Sequence, residues 1–513
     1  MKRVYQGMFV FGLVFVLMGA FLIGPGQSGA KEKVVVQGDT SSIPTLEPGV
    51  IMLGATINLW QNLFQGLVKY KYNSLTEVEG DAAESWTISD DGLVYTFRLR
   101  DNNQFHKGFG KVTAEDVKFS FERIMDPKKS SPFMGDLRMV NEVRAIDDRT
   151  VRISLKYFDP DFIRRCARPQ PVSIVSKKAM EQYGETFGRN PIGSGPFEFQ
   201  SMSREQIVLT ANKNYFLGVP EIEKVIFKVV PDMDTLILAL VNGDVDTAWS
   251  LVRTEDALGR LKAAGCTVNG IDRGGYMQFL MNGRVKPYDD IRVRKAIAHA
   301  IDKDAMIKHV IAGVGERWNS LIPKGYWGYT EEGLRRYEYD PEKSKQLLAE
   351  AGYPNGFEDT IICNTTPSSL PHTQAGVGYL SKVGIKLKID AMDNAAWKRK
   401  YTSGEAHLSM HLDARMAGAQ AHLNNYLSSD GFPPGPNLSW YDKSDKEIKE
   451  AGREKNDAKR LKMYHDTQKK LMEDLPHIPL YMCLYPGAFR SHLTGLPDRA
   501  AMFGYDYYYV RFK

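Results

Sequence analysis

Between Ala406 and Met416 apolar and polar residues alternate without a break. Ala406, Leu408, Met410, Leu412, Ala414 and Met416 fall on one side, and His407, Ser409, His411, Asp413 and Arg415 on the other. A period of two residues is that of a strand. Related patterns predict strands over "KVVVQGD", over both arms of "WTISDDGLVYTFRLR" about a turn at Asp91-Gly92, and over "TVRISLKY". They also predict the pair "PFEF" and "QIVLTAN", then "EKVIFKVV", "IKLKIDAM" and the closing "YDYYYVRF". Helical spacing lies in between. Thr113 stands as N-cap to "AEDVKFSFERIM", and "MDTLILALVNG" stops at Gly243. "DDIRVRKAIAHAIDKDAMIKHVIAG" reads as one long amphipathic stretch, "DPEKSKQLLAEAG" as a capped helix, and 442–474 as one or two charged helices. Strands and helices alternate at both ends, which predicts two α/β lobes joined by short crossing strands rather than one sandwich. A chain of 513 residues is too long for one ordinary core.

Composition narrows the class. The chain is 43% hydrophobic and 25% charged, with a formal charge of +5 spread among mixed surfaces. Basic residues form no runs or aromatic-interleaved stripes, so no nucleic-acid partner is expected. Lys2 and Arg3 precede an apolar run from Met8 to Ile23, and small residues follow at Ser28 and Ala30. This is the pattern of a secretory signal peptide over 1–30, with an uncleaved anchor as the alternative. No Cys follows the apolar run, so no lipid anchor is expected. "GPGQSG" in this segment has the letters of a dinucleotide-binding loop, but it neither follows a strand nor opens a helix. Cys166, Cys266, Cys363 and Cys483 are widely spaced and have no zinc-ligand neighbours. In an oxidising compartment they form one or two disulfides or remain buried thiols.

No nucleophile elbow, zinc-protease helix, phosphate-binding loop or C-x-x-C pair is present. "PIGSGPFEF" comes nearest, but Gly193 and Gly195 flank Ser194 directly and Pro196 follows; it reads as a rigid turn.

Several blocks, taken in order, resemble the family 5 extracytoplasmic solute-binding proteins, the peptide- and nickel-type binding proteins of ABC importers. They are "ESWTISDDGLVYTFRLRDNNQFHKGFGKVTAEDVKFSFERIMDP" (84–127), "NPIGSGPFEF" (190–199), "ANKNYFLGVPEIEKVIFKVVPDMDTLILALVNGDVD" (211–246), "FLMNGRVKPYDDIRVRKAIAHAIDKDAMI" (279–307), "YDPEKSKQLLAEAGYPNG" (339–356) and "EDLPHIPLY" (473–481). Within them Phe119 and Phe121 read as core, and Arg292 and Arg294 as paired with nearby acids. The resemblance implies an α/β bilobal periplasmic-binding-protein (Venus-flytrap) fold with a domain inserted in the first lobe. The first lobe would comprise 31–75, 186–278 and 484–513, the inserted domain 76–185, and the second lobe 279–483. It further implies a monomeric periplasmic protein without cofactor, which closes on a small-molecule or peptide ligand and docks on ABC permease subunits.

The candidate site follows from the alternating strand. His407, His411 and His422 are three of the chain's ten histidines. Four residues along a strand span roughly 13 Å, too far for His407 and His411 to share a metal. In the resembled family this strand leads into the ligand cleft. Peptide-binding members carry a Gly-Trp pair, an acid for the peptide's α-amino group and an Asp-Pro, which would fall on Leu412-Asp413, near Met416 and on Ala419-Gln420. No acid stands between Arg415 and Leu427, so the amine anchor is missing unless Asp413 replaces it. Arg415 adds a cationic fork suited to a carboxylate or phosphate. The expected ligand is therefore not an ordinary free-amine peptide. Ligand-binding candidates are His411, Asp413 and Arg415, with Trp60, Trp249, Trp397 and Trp440 as aromatic walls. Asp39, Thr40, Ser41 and Ser42, after the first strand, would run alongside the ligand. The alternatives are an exported hydrolase acting through His411 and Asp413, and a ligand-sensing protein not coupled to transport.

Overall fold

Among the described residues the largest sheet is mixed and has eleven strands. The computed structural model describes residues 32–513 apart from 52–53, 250, 252–253, 367, 414–417 and 498–503. The signal peptide expected over 1–30 and the Arg415 anchor therefore lie outside the described residues. At the centre, Cys266–Met281 and His477–Arg490 pair antiparallel from Cys266 opposite Arg490 to Leu280 opposite His477. The crossing strands were expected to be short. They are long instead, 16 and 14 residues, because nearly every position of His477–Arg490 is buried and each strand supplies core to both lobes. Their register slips between Ile271 and Gly275 and again between Met277 and Gln278.

On one side of this pair the order is Thr247–Ala248, Val34–Asp39, Lys224–Val229, Gln206–Ala211 and Phe197–Met202; on the other it is Leu408–Asp413, Phe357–Asn364 and Ile385–Met392. One core gathers Val35, Trp60, Phe121, Phe227, Phe489 and Tyr507. The other gathers Phe279, Tyr288, Ile361, Leu408, Leu471 and Tyr481. A separate antiparallel sheet, in the order Ala83–Ile88, Val94–Leu99, Thr150–Leu155, Val140–Asp147, extends the first core. Helix Ala114–Met125 lies against it and starts at a reciprocal cap between Thr113 and Asp116.

Four details depart from the hydrophobic pattern or decide between its alternatives. The long amphipathic stretch breaks at Ile301, because Asp302 accepts from the Ala305 amide and starts a second helix, Lys303–Val310. The closing aromatics form a 3-10 turn, Tyr507–Tyr509, with Asp506 accepting from the Tyr508 amide; only Arg511–Phe512 is strand. Arg292 pairs with Asp290 at 2.6 Å, but Arg294 is buried and donates to the carbonyls of Tyr288, Asp289, Asp474 and Leu475 instead of to acids. All four cysteines are free and buried.

The turn at 193–195 explains its own glycines. A Cβ on Gly193 would lie 1.9 Å from the Leu63 carbonyl oxygen, and one on Gly195 2.7 Å from that of Asn62. The backbone therefore packs directly on the end of helix Gly54–Leu63, and Ser194 is wholly buried.

Candidate functional site

Strand Leu408–Asp413 is interior to the sheet, paired with Cys266–Met281 on one edge and Phe357–Asn364 on the other. Helices cover both of its faces. On one, Met410 packs against Gly376 of helix Leu370–Ser381, where a Cβ would come within 2.5 Å of the methionine methyl. On the other, Trp397 and Tyr401 of helix Asn394–Thr402 place their rings 4.9 and 5.1 Å from His411. The alternating polar side is thus no open face: Ser409 and His411 are buried. The nearby histidines take separate partners. His407 pairs with Asp359 at 3.1 Å, His411 with Asp413 at 3.0 Å, and His422 Nδ1 lies 3.1 Å from the Tyr276 hydroxyl.

Asp413 is the hub of a buried polar network. Its carboxylate meets His411 Nε2 and accepts from Gln278 Nε2 at 2.5 Å and from the Tyr426 hydroxyl at 2.8 Å. Gln278 continues the chain through its Oε1, 3.2 Å from His477 Nδ1, and His477 Nε2 lies 3.1 Å from the Ser439 hydroxyl. Burial pushes the Asp413 carboxyl up, but the facing His411 and the hydrogen bonds from His411, Tyr426 and Gln278 outweigh it and hold the group below the usual carboxylate range. Burial drives the imidazoles of His422 and His477 down to about 4 and about 3. Near neutral pH an ionised carboxylate is therefore held by hydroxyl, amide and imidazole donors, next to uncharged rings. Since Tyr426 lies on helix Ala419–Tyr426, its bond to Asp413 ties the end of the strand to the helix beyond residues 414–417.

Ser409, His411 and Asp413 also form a chain that looks like a hydrolytic triad. Ser409 Oγ is 3.5 Å from His411 Nδ1, and His411 Nε2 is 3.0 Å from Asp413. The serine is fully buried and its hydroxyl is shared with the Ile362 carbonyl and the Trp397 indole. So buried and so engaged, Ser409 is not an accessible nucleophile for His411 and Asp413.

The structure brings His411, Asp413 and Trp397 together, and it spreads the other candidates out. Trp60 is wholly buried in the first core and donates its indole to the Leu46 carbonyl. Trp249 is buried in the same core against Tyr505. Trp440, half-buried, stacks near Phe432 and lies 3.9 Å from the Arg284 guanidinium. Asp39 ends strand Val34–Asp39 and accepts from the Ser41 amide at 2.8 Å, turning the chain through Thr40 towards the exposed Ser42. Gln278, Tyr426 and His477 were not foreseen. Gln278 alone had a signal, as the one polar residue within the apolar run "YMQFLM" of a buried strand.

Residues 77–434 match the model of the bacterial extracellular solute-binding proteins, family 5. The chain belongs to this family. Heme-binding protein A of Haemophilus influenzae is 30% identical over 502 residues, covering 90% of this chain and 89% of that protein. The glutathione-binding protein GsiB of Escherichia coli is 28% identical over 512 residues, covering 96% and 97%. Among solved structures, HbpA2 from Haemophilus parasuis superposes with a TM-score of 0.85 at 28% identity, over 94% of this chain and all of that one. This family 5 protein thus has the bilobal α/β periplasmic-binding-protein fold, and it is the solute-binding component of an ABC importer. Its relatives are solute-binding proteins rather than enzymes. Among the described residues no helix is long and apolar enough to cross a membrane.

Proposed function

We propose that this protein captures an anionic, carboxylate-bearing solute, such as a modified peptide, and delivers it to its ABC permease. The observation that carries this reading is the saturation of Asp413. Three side chains already hold its carboxylate, so it is poorly placed to receive the α-amino group of a peptide. Residues 416–426 hold no acid, and the sequence after Asp413 offers a cation, Arg415, in place of an amine anchor. The ligands named for two relatives, heme and glutathione, have a pair of carboxylates in common. In this reading Arg415 and the Asp39–Ser42 turn contact the solute, Trp397 and His411 form the wall behind it, and Trp60 and Trp249 stay in the core. Trp440 forms a wall only where its half-exposed ring reaches the cleft.

The rest of the reading concerns placement. The protein is exported through the leader at 1–30, carries no lipid anchor, and works in the periplasm as a monomer without nucleic acid. Its first lobe is 31–75, 186–278 and 484–513, with 76–185 inserted and 279–483 forming the second lobe. Isothermal titration with reduced glutathione, haemin and a panel of unmodified di- to pentapeptides tests the ligand class. Binding of a dicarboxylate, lost about tenfold or more in Arg415→Ala, is expected. Tight binding of unmodified peptides, unchanged in Arg415→Ala, would overturn it.

A further inference from the structure

Helix Ala419–Tyr426 starts at Gly418, which has no side chain to cap it. The cap comes from elsewhere in the chain. Asp161 Oδ2 accepts from the Ala421 amide at 3.2 Å, across a separation of 260 residues. Asp161 is 4% exposed and begins the short helix Phe162–Cys166, whose Phe162 ring packs 4.7 Å from Tyr95 of the four-stranded sheet. The approach requires glycine at 418, because a Cβ there would lie 1.8 Å from Asp161 Oδ1. Other contacts cross the same seam. The Arg164 guanidinium lies 5.6 Å from the Trp327 ring, and the Arg460 guanidinium lies 5.8 Å from the Phe158 ring. A cleft of about 830 Å³ opens beside the seam, between Phe158 and Ala421.

A buried carboxylate needs donors, and a helix start needs acceptors. Here each group satisfies the other, although they belong to different parts of the fold. The helix it caps is the one whose Tyr426 holds Asp413. The residues between Asp413 and Gly418 are therefore bounded at one end by the buried network and at the other by a residue of the four-stranded-sheet unit.

We propose that Asp161 is a positioning residue for solute binding: a latch that clamps the start of helix Ala419–Tyr426 from across the seam and so holds Tyr426 on Asp413 at the end of the candidate ligand strand. This rests on reading that strand end as part of the solute site. Loss of the latch leaves the helix start uncapped and weakens the seam between the two units.

The test compares Asp161→Ala, Asp161→Asn, Gly418→Ala and the double Asp161→Ala/Gly418→Ala variant. Hydrogen exchange of the ligand-free protein is expected to speed up about tenfold at residues 419–423 in Asp161→Ala, and small-angle scattering to give a larger radius of gyration. Asp161→Asn keeps an acceptor oxygen and should restore both values. Gly418→Ala should reproduce the alanine phenotype by evicting the carboxylate, and the double variant should add less than about twofold. Unchanged exchange at 419–423, equal acceleration throughout the chain, or an unchanged radius would overturn the latch. Reduced glutathione serves as the binding probe, and its dissociation rate should rise about tenfold in Asp161→Ala; an unchanged rate would overturn the positioning role. If glutathione fails to bind the parent protein, the ligand reading fails there, while exchange and scattering still decide the latch.

Discussion

Asp413→Ala is expected to destabilise the protein by about 3–5 kcal/mol, the usual cost of removing one partner from a buried, hydrogen-bonded charge network. The substitution strands three donors at once: His411 Nε2, Gln278 Nε2 and the Tyr426 hydroxyl. Asp413→Asn keeps the shape but sets an amide against other donors, so it should recover only part of the loss. Urea unfolding at neutral pH checks both values. Solute affinity should fall in parallel, because the strand end and helix Ala419–Tyr426 lose their bond. A variant that keeps parental stability but loses binding would show instead that Asp413 touches the ligand directly.

Acid should unfold the protein with unusual steepness. Burial holds His106 and His422 at about 4 and His477 at about 3 in the folded state, whereas an unfolded imidazole titrates near 6.5. Below pH 6.5 the unfolded chain therefore binds more protons than the folded one. The stability from keeping these rings neutral is complete above pH 6.5 and is lost as pH falls towards 4 and then 3. The loss is roughly 3 kcal/mol per ring. Asp413, also held low, acts in the same direction below the carboxylate range. Asp81, raised by burial to about 6, acts against it, as do Asp161 and Asp506, which burial also raises; these carboxyls add stability as pH falls and offset part of the loss. Each ring contributes a slope of up to about one proton to the unfolding free energy between about pH 6 and 4, and His422→Gln should remove about one proton from the slope measured for the parent. A slope unchanged by His422→Gln would mean that this ring is not neutral in the folded protein.

Much of this was legible in the residues. Alternation placed strand Leu408–Asp413, and Thr113 marked the start of its helix, because both signals depend on neighbours close in the chain. The order of six sequence blocks pointed to the family before any coordinate. The division at Ile301 was not legible, because the apolar spacing continues across it while a single side chain, that of Asp302, sets the new helix. The closing aromatics misled for a similar reason: a β-rich composition yields to one local cap at Asp506.

The candidate site divides the same way. The sequence alone separated His407 from His411, since strand geometry puts them on one face but far apart, and it showed that residues 416–426 have no acid. The tertiary structure alone decided that Ser409 and His411 on the polar side are buried, because helices Leu370–Ser381 and Asn394–Thr402 cover a strand that also has neighbours on both edges. It alone brought Gln278, Tyr426 and His477 to one carboxylate, and Asp161 to a helix start 260 residues away. Chain-local periodicity determines which residues share a face. What lies against that face, and so whether a charge there is solvated, paired or clamped, is set by long-range packing that no local pattern records.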